Sequence, residues 1–164
     1  MANAVLEKDS AIHFPHVTIL KASAGSGKTY SLTERFVQFL LSGKIPQNHL
    51  RNILAITFSN NAAKEMKERI LSWLKDIYFK DTEKIKELAE IVSLKEEQLA
   101  DKAGVKIDEI LKNYTEFQVK TIDSFMTSIY KASAINLGYA THRDQLLLSP
   151  EPPAEIGHCP QGTS

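Results

Sequence analysis

The apolar positions change period several times along the chain, and each change marks an element. Residues 16–21, His-Val-Thr-Ile-Leu-Lys, are β-branched and aliphatic and run into a glycine-rich turn, which predicts a short buried strand. From about Lys28 to Ser42, Leu32, Phe36, Val37, Leu40 and Leu41 recur at three- and four-residue spacing. This predicts an amphipathic helix, closed by Gly43 with Pro46 beyond it. Residues 52–58, Asn-Ile-Leu-Ala-Ile-Thr-Phe, form a second apolar run of strand length, of the kind that suits a parallel strand covered on both faces. Asn60 or Asn61 is placed to cap a helix over about 62–79, with Met66, Ile70, Trp73, Leu74 and Ile77 as its buried stripe. Lys64–Glu68 and Glu65–Arg69 are opposite charges one turn apart on its wet side. Residues 81–114 read as two or three short polar helices, with Ser93 and Glu96 matching a capping box and Gly104 punctuating the run. A third strand over about 117–121 leads into a helix over about 123–137 that Gly138 ends.

Strands alternating with helices predict an α/β fold with a parallel sheet. The periodicity fails after Tyr139, and residues 149–164 hold four of the six prolines. The expected organisation is a flexible lead over 1–15, one domain over 16–138, and a disordered or aberrant tail over 139–164. No internal repeat is visible.

Composition narrows the function classes. Lys plus Arg and Asp plus Glu are 20 each, so charge alone does not advertise nucleic acid, and 43% hydrophobic residues exclude a disordered acidic chain. The neutrality hides a bias. Lys8, Lys21, Lys28, Arg35, Lys44 and Arg51 outnumber Glu7, Asp9 and Glu34 within residues 1–60, around the first strand and its loop. No apolar run is long enough to span a bilayer, and Met1–Ser10 has neither a basic n-region nor an apolar h-region, so no membrane and no secretory signal are expected. The single Cys159 excludes an internal disulfide framework and fits a reducing cytoplasm. His13, His16 and His142 match no standard metal spacing.

The candidate chemistry lies between the first strand and the first helix. Ala22-Ser23-Ala24-Gly25-Ser26-Gly27-Lys28-Thr29 is a phosphate-loop (Walker A) arrangement with Ala in place of the first Gly. Gly25 and Gly27 allow a tight turn and a close backbone approach to phosphate oxygens. Successive N–H groups form an anion nest, and the helix adds its positive end. Lys28 is expected to reach the β- and γ-phosphates of ATP, and the Thr29 hydroxyl to ligate Mg²⁺. The plainer alternative is a Gly-Ser turn entering an ordinary helix.

Two further segments run from strand into helix. Thr57-Phe58-Ser59-Asn60-Asn61-Ala62-Ala63-Lys64-Glu65-Met66 and Thr121-Ile122-Asp123-Ser124-Phe125 each read, alone, as polar caps with core apolar residues. In order with the phosphate loop, the three resemble the amino-terminal part of a UvrD/Rep-type superfamily-one DNA helicase. The resemblance covers about residues 16–138, and the form Lys21–Leu32 is closest to the RecB and AddA branch of helicase–nuclease subunits. It implies an incomplete RecA-like domain, the amino-terminal part of helicase domain 1A, driving movement on single-stranded DNA in recombination and repair. Lys28 and Thr29 are then the nucleotide and metal residues. Thr57, Phe58, Asn60, Thr121, Asp123 and Phe125 meet the DNA, with hydroxyl and amide donors for phosphate and aromatic faces for any base. The chain departs from the family at Asn61, where Lys is usual, and at Asp123, where His is usual. The upstream Gln that reads adenine in many relatives has no clear counterpart in residues 1–20.

The resemblance also sets what else is expected. No apolar strand ending in Asp-Glu is seen, nor a second ATPase domain, so negligible ATP hydrolysis is expected of these 164 residues. A gap or an unnatural pairing is expected at the sheet centre. The expectation for the gene is truncation, frame disruption or an artificial fragment, with a genuine small protein as the alternative. Two other functions stay open: a non-catalytic nucleotide- or partner-binding module, and a small phosphate-loop kinase.

Overall fold

A computed structural model describes residues 6–19 and 27–136. Among these, five helices and two strands follow in the order α1 (Lys28–Leu41), β1 (Ala55–Thr57), α2 (Asn60–Tyr78), α3 (Thr82–Val92), α4 (Glu96–Lys112), β2 (Val119–Thr121) and α5 (Ile122–Asn136). The chain divides into two compact units, Met1–Phe125 and Met126–Ser164, so the strands, α1–α4 and the first turn of α5 share one unit.

The helices form where the 3.6-residue period predicts them. Met66, Ile70, Trp73, Leu74 and Ile77 of α2 are all buried. They meet Phe36, Val37, Leu40 and Leu41 of α1, Ile85, Leu88 and Val92 of α3, and Leu99, Ala100, Ala103 and Ile110 of α4 in one core. Leu32 is the exception at 42% exposed, because it falls just outside the inward arc of α1. That arc instead takes in the polar side chains of Thr33, Glu34 and Gln38. The predicted pairs on the wet face of α2 are present, Lys64–Glu68 at 3.9 Å and Arg69–Glu65 at 2.6 Å.

Several boundaries differ from expectation. The cap of α2 is Ser59, whose hydroxyl accepts the Ala62 N–H at 3.2 Å, rather than Asn60 or Asn61. Ser93 does not open α4. It closes α3 in a left-handed conformation at φ 57°, and the Lys95 N–H donates to Gln98 Oε1 at 3.3 Å instead. Gly104 lies inside α4 rather than ending it: the Tyr78 ring comes so near that a Cβ there would stand 2.9 Å from Cε2.

The sheet is parallel, with Ala55 opposite Val119, Ile56 opposite Lys120 and Thr57 opposite Thr121. It is shorter than the apolar runs suggest, because Leu50–Asn52 turns as a 3-10 helix and buries Leu50. The expected first strand is not formed over residues 16–19, where Val17 is 84% and Ile19 78% exposed. An apolar run becomes a buried strand only beside a partner, and β1 and β2 pair with each other. In the stretch expected as a lead, Leu6, Asp9 and Ile12 are buried, and Asp9 accepts the Ser42 hydroxyl at 2.7 Å. The expected tail, 139–164, lies outside the described residues.

Candidate functional site

Two places carry the predicted chemistry, and the first is the start of α1. Ala22, Ser23, Ala24, Gly25 and Ser26 lie outside the described residues; Gly27, Lys28 and Thr29 lie within them. Gly27 stands at φ 84°, a conformation that glycine adopts without strain, and Lys28 begins the helix. No side chain caps this end and no acid occupies its first turn, so the positive end of the helix is left for an external anion. Lys28 and Thr29 are exposed, which gives an ammonium and a hydroxyl beside those amides. The donor set suits an anion, and magnesium fits it only as an ion carried with phosphate. No group of three metal-ligating side chains exists among the described residues.

The next residues fix that end of the helix. The Thr33 hydroxyl donates to the Thr29 carbonyl at 2.8 Å. The Tyr30 ring meets Trp73 edge-on at 5.1 Å, and its hydroxyl donates to Glu87 Oε2 at 2.9 Å. Burial and Glu87 together push the Tyr30 phenol well above its usual range. Tyr30 thereby ties the predicted nucleotide residues to α2 and α3.

The second place is the carboxyl end of the sheet. Thr57 and Thr121 face each other on the last rung, so the two strand-to-helix segments leave the sheet side by side. Each turn is held by a hydroxyl. Thr57 donates to the Ser59 carbonyl at 3.2 Å, and the Ser124 N–H donates to the Thr121 hydroxyl at 3.2 Å. The amino ends of α2 and α5 therefore share one edge. Phe58 stands out from it at 90% exposure, with Asn60 and Asp123 exposed beside their helix starts and Phe125 half-buried. Thr121 is itself buried, so its visible work is to cap α5.

Beside this edge lies an open cleft of about 290 Å³, lined by Asn60, Lys64, Lys67, Tyr114, Lys120 and Ser124 among others. Lys67 holds its ammonium over the Tyr114 ring at 4.8 Å and the Phe117 ring at 5.6 Å. Burial, and then the nearby Lys120 charge, lower the Lys67 pKa. Sequence reasoning missed Lys67, Lys120 and Tyr114. Lys67 looks like one more charge on a wet helix face, and only the β1–β2 register brings Lys120 to it.

The comparisons with known proteins follow the same segments. The profile of the UvrD/REP helicase N-terminal domain matches residues 6–150. An ATP-dependent helicase/nuclease protein of Lactobacillus gasseri is 46% identical over 77 residues, 46% of this chain and 6% of that protein. A DNA helicase II of Rickettsia typhi is 44% identical over 64 residues, covering 39% of this chain and 9% of its own. The RecBCD enzyme subunit RecB of Chlamydia trachomatis is 46% identical over 56 residues, which is 34% of this chain and 5% of that protein. The chain thus spans less than a tenth of these relatives. No solved structure gives a significant match.

Proposed function

The chain belongs to the UvrD/REP helicase N-terminal domain family, and on that footing we propose that it is the ATP-binding amino-terminal part of a RecA-like helicase domain. In the whole protein this part works on single-stranded DNA in recombination and repair, in the cytoplasm, beside a helicase–nuclease partner subunit. The relatives' names support both the ATP-dependent helicase reading and the place in a multisubunit enzyme. The domain runs over 16–138, with 1–15 leading into it and 139–164 following.

The observation that carries the reading is the shared rung of Thr57 and Thr121. Two segments 63 residues apart by their hydrogen-bonded partners, Thr57 and Lys120, deliver Phe58, Asn60, Asp123 and Phe125 to one edge. In parallel α/β sheets the carboxyl edge is where ligands bind. Phe58 offers a face on which any base can stack, and the helix starts offer donors for phosphate. At the other place, Gly25, Ser26 and Gly27 supply backbone donors for the ATP phosphates, Lys28 neutralises them, and Thr29 holds Mg²⁺. Bound ATP and Mg²⁺ supply the energy of phosphoryl transfer. The chain's only Asp-Glu pair, Asp108-Glu109, lies inside α4, so no strand of these residues presents such a pair to a nucleotide. We therefore expect ATP binding with negligible hydrolysis.

Fluorescence anisotropy with labelled oligo(dT) tests the DNA side. The protein should bind single strands in preference to duplex. Phe58→Ala should weaken that binding by about 1–3 kcal/mol, the worth of one stacked base, with no change in thermal midpoint because Phe58 is 90% exposed. Equal affinity of the variant and its parent for the single strand would overturn the assignment. Binding of fluorescent ATP that falls at least about tenfold in Lys28→Ala tests the nucleotide side. Robust DNA-stimulated turnover by the purified chain would contradict the expectation of negligible hydrolysis.

A further inference from the structure

The cleft beside Asn60 has a charge arrangement that its own packing does not require. Lys67 and Lys120 repel one another, and neither forms an ion pair with a carboxylate among the described residues. Lys64, at the rim, is only loosely held to Glu68 at 3.9 Å, with both side chains largely exposed. A surface helix normally answers such charges with acids one turn away, as Arg69 is answered by Glu65. Here the neighbours of Lys67 are aromatic faces, Tyr114 and Phe117, which hold the ammonium in place without neutralising it. The cleft also receives the start of α2 at Asn60 and the start of α5 at Ser124, two positive helix ends.

We propose that this cleft is a backbone-phosphate subsite, in which Lys67 and Lys120 together grip a phosphodiester of single-stranded nucleic acid next to the base that stacks on Phe58. The subsite rests on the proposed function, and adds to it the residues that hold the sugar-phosphate chain rather than the bases. An anion placed between the two ammonium groups removes their repulsion, so the pair is preorganised for a ligand. Tyr114, half exposed beside Lys67, closes one wall and keeps the ammonium from swinging to bulk solvent. Phosphate contacts of this kind fix where the strand lies and are blind to its sequence. The open, shallow shape of the cleft suits a strand passing across it.

The test is oligo(dT) anisotropy over a salt series with the purified 164-residue chain, its Phe58→Ala variant, Lys67→Met, Lys120→Met and Lys67→Arg. Losing one phosphate contact on a single strand lowers the slope of log affinity against log salt by about 0.7, which is about fivefold in affinity at roughly 0.1 M salt. Each methionine variant should show both changes, and the pair together about twenty-five-fold. Lys67→Arg should restore parental behaviour, which a merely structural role for the lysine stem would not require. Phe58→Ala should lose affinity with the slope intact. An oligonucleotide with neutral methylphosphonate linkages should bind parent and lysine variants alike. If Phe58→Ala weakens binding but the methionine variants keep the parental slope and affinity, the subsite is wrong and the proposed function stands. If the parent binds no single strand at all, both fall together.

Discussion

Glu34 shows how much a single side chain can set. It lies on α1 within two turns of Lys28, is only 2% exposed, and its carboxyl is pushed up to about 7 by burial and then by Glu87, with Arg35 pulling the other way. The ordinary value is 4.5, so the folded protein holds this proton more tightly than the unfolded chain does. The stability that follows is fully present below about pH 4.5 and is lost as pH rises through about 7. Above that, a charged Glu34 faces Glu87 inside the contact between α1 and α3. Glu34→Gln keeps the site neutral at every pH. The variant should unfold at a higher temperature than its parent at about pH 8, and the gap should close towards about pH 4.5. Thermal unfolding followed by circular dichroism at several pH values checks this, and a parent whose midpoint is flat across that range would contradict it. Nothing in the sequence pattern marks Glu34, because an acid at that spacing reads as part of a wet face. The burial comes from α3 lying across it, a tertiary fact.

At the scale of elements, the helices were legible and their ends less so. A stripe such as Met66, Ile70, Trp73, Leu74 and Ile77 fixes phase and type together, since only one helical face can bury all five. Ends depend on single hydrogen bonds, and Ser59, Asn60 and Asn61 are three consecutive residues able to make one. The strand chooses among them: β1 stops at Thr57, and Ser59 is where the chain can turn with its hydroxyl toward Ala62. Ser59→Ala should therefore cost about 1 kcal/mol in chemical denaturation, while Asn61→Ala should cost far less. Ser93 misled for a related reason. Its capping-box spacing to Glu96 is real, but the residue is already used in a left-handed turn that ends α3. Gly104 makes a third case. An exposed helix glycine changed to alanine gains roughly 0.8–1 kcal/mol. Here the new methyl meets the Tyr78 ring at 2.9 Å, and that ring is half exposed and must swing away. Gly104→Ala should fall short of the full gain in the parent and recover it in a Tyr78→Ala background. A denaturation double-mutant cycle with no coupling between the two would show that the ring is not what keeps the position a glycine.

Across the whole molecule, the candidate site was legible in outline because its parts are local. A phosphate loop and two strand-to-helix turns each declare themselves within a few residues, and their order carries the family resemblance. Their convergence is a property of the sheet: Thr57 meets Thr121 because β1 and β2 pair in parallel and in that register. Lys67 and Lys120 were hidden for the same reason, since a strand residue and a helix residue far apart in sequence share a cleft only after folding. The His-Val-Thr-Ile run over 16–19 shows the opposite error, where an apolar segment with strand composition has no ladder among the described residues. The central claim is that single-stranded nucleic acid crosses the carboxyl edge of this sheet. Photocrosslinking with oligo(dT) carrying 5-iodouracil, followed by mass-spectrometric mapping of the adducts, tests it most directly, because the photoproduct forms on aromatic side chains touching a base. Adducts should concentrate on Phe58, with Phe125 and Tyr114 next. Adducts on Tyr78 and Phe79, which line a separate cleft between α2 and α4, with none on Phe58, would contradict the account.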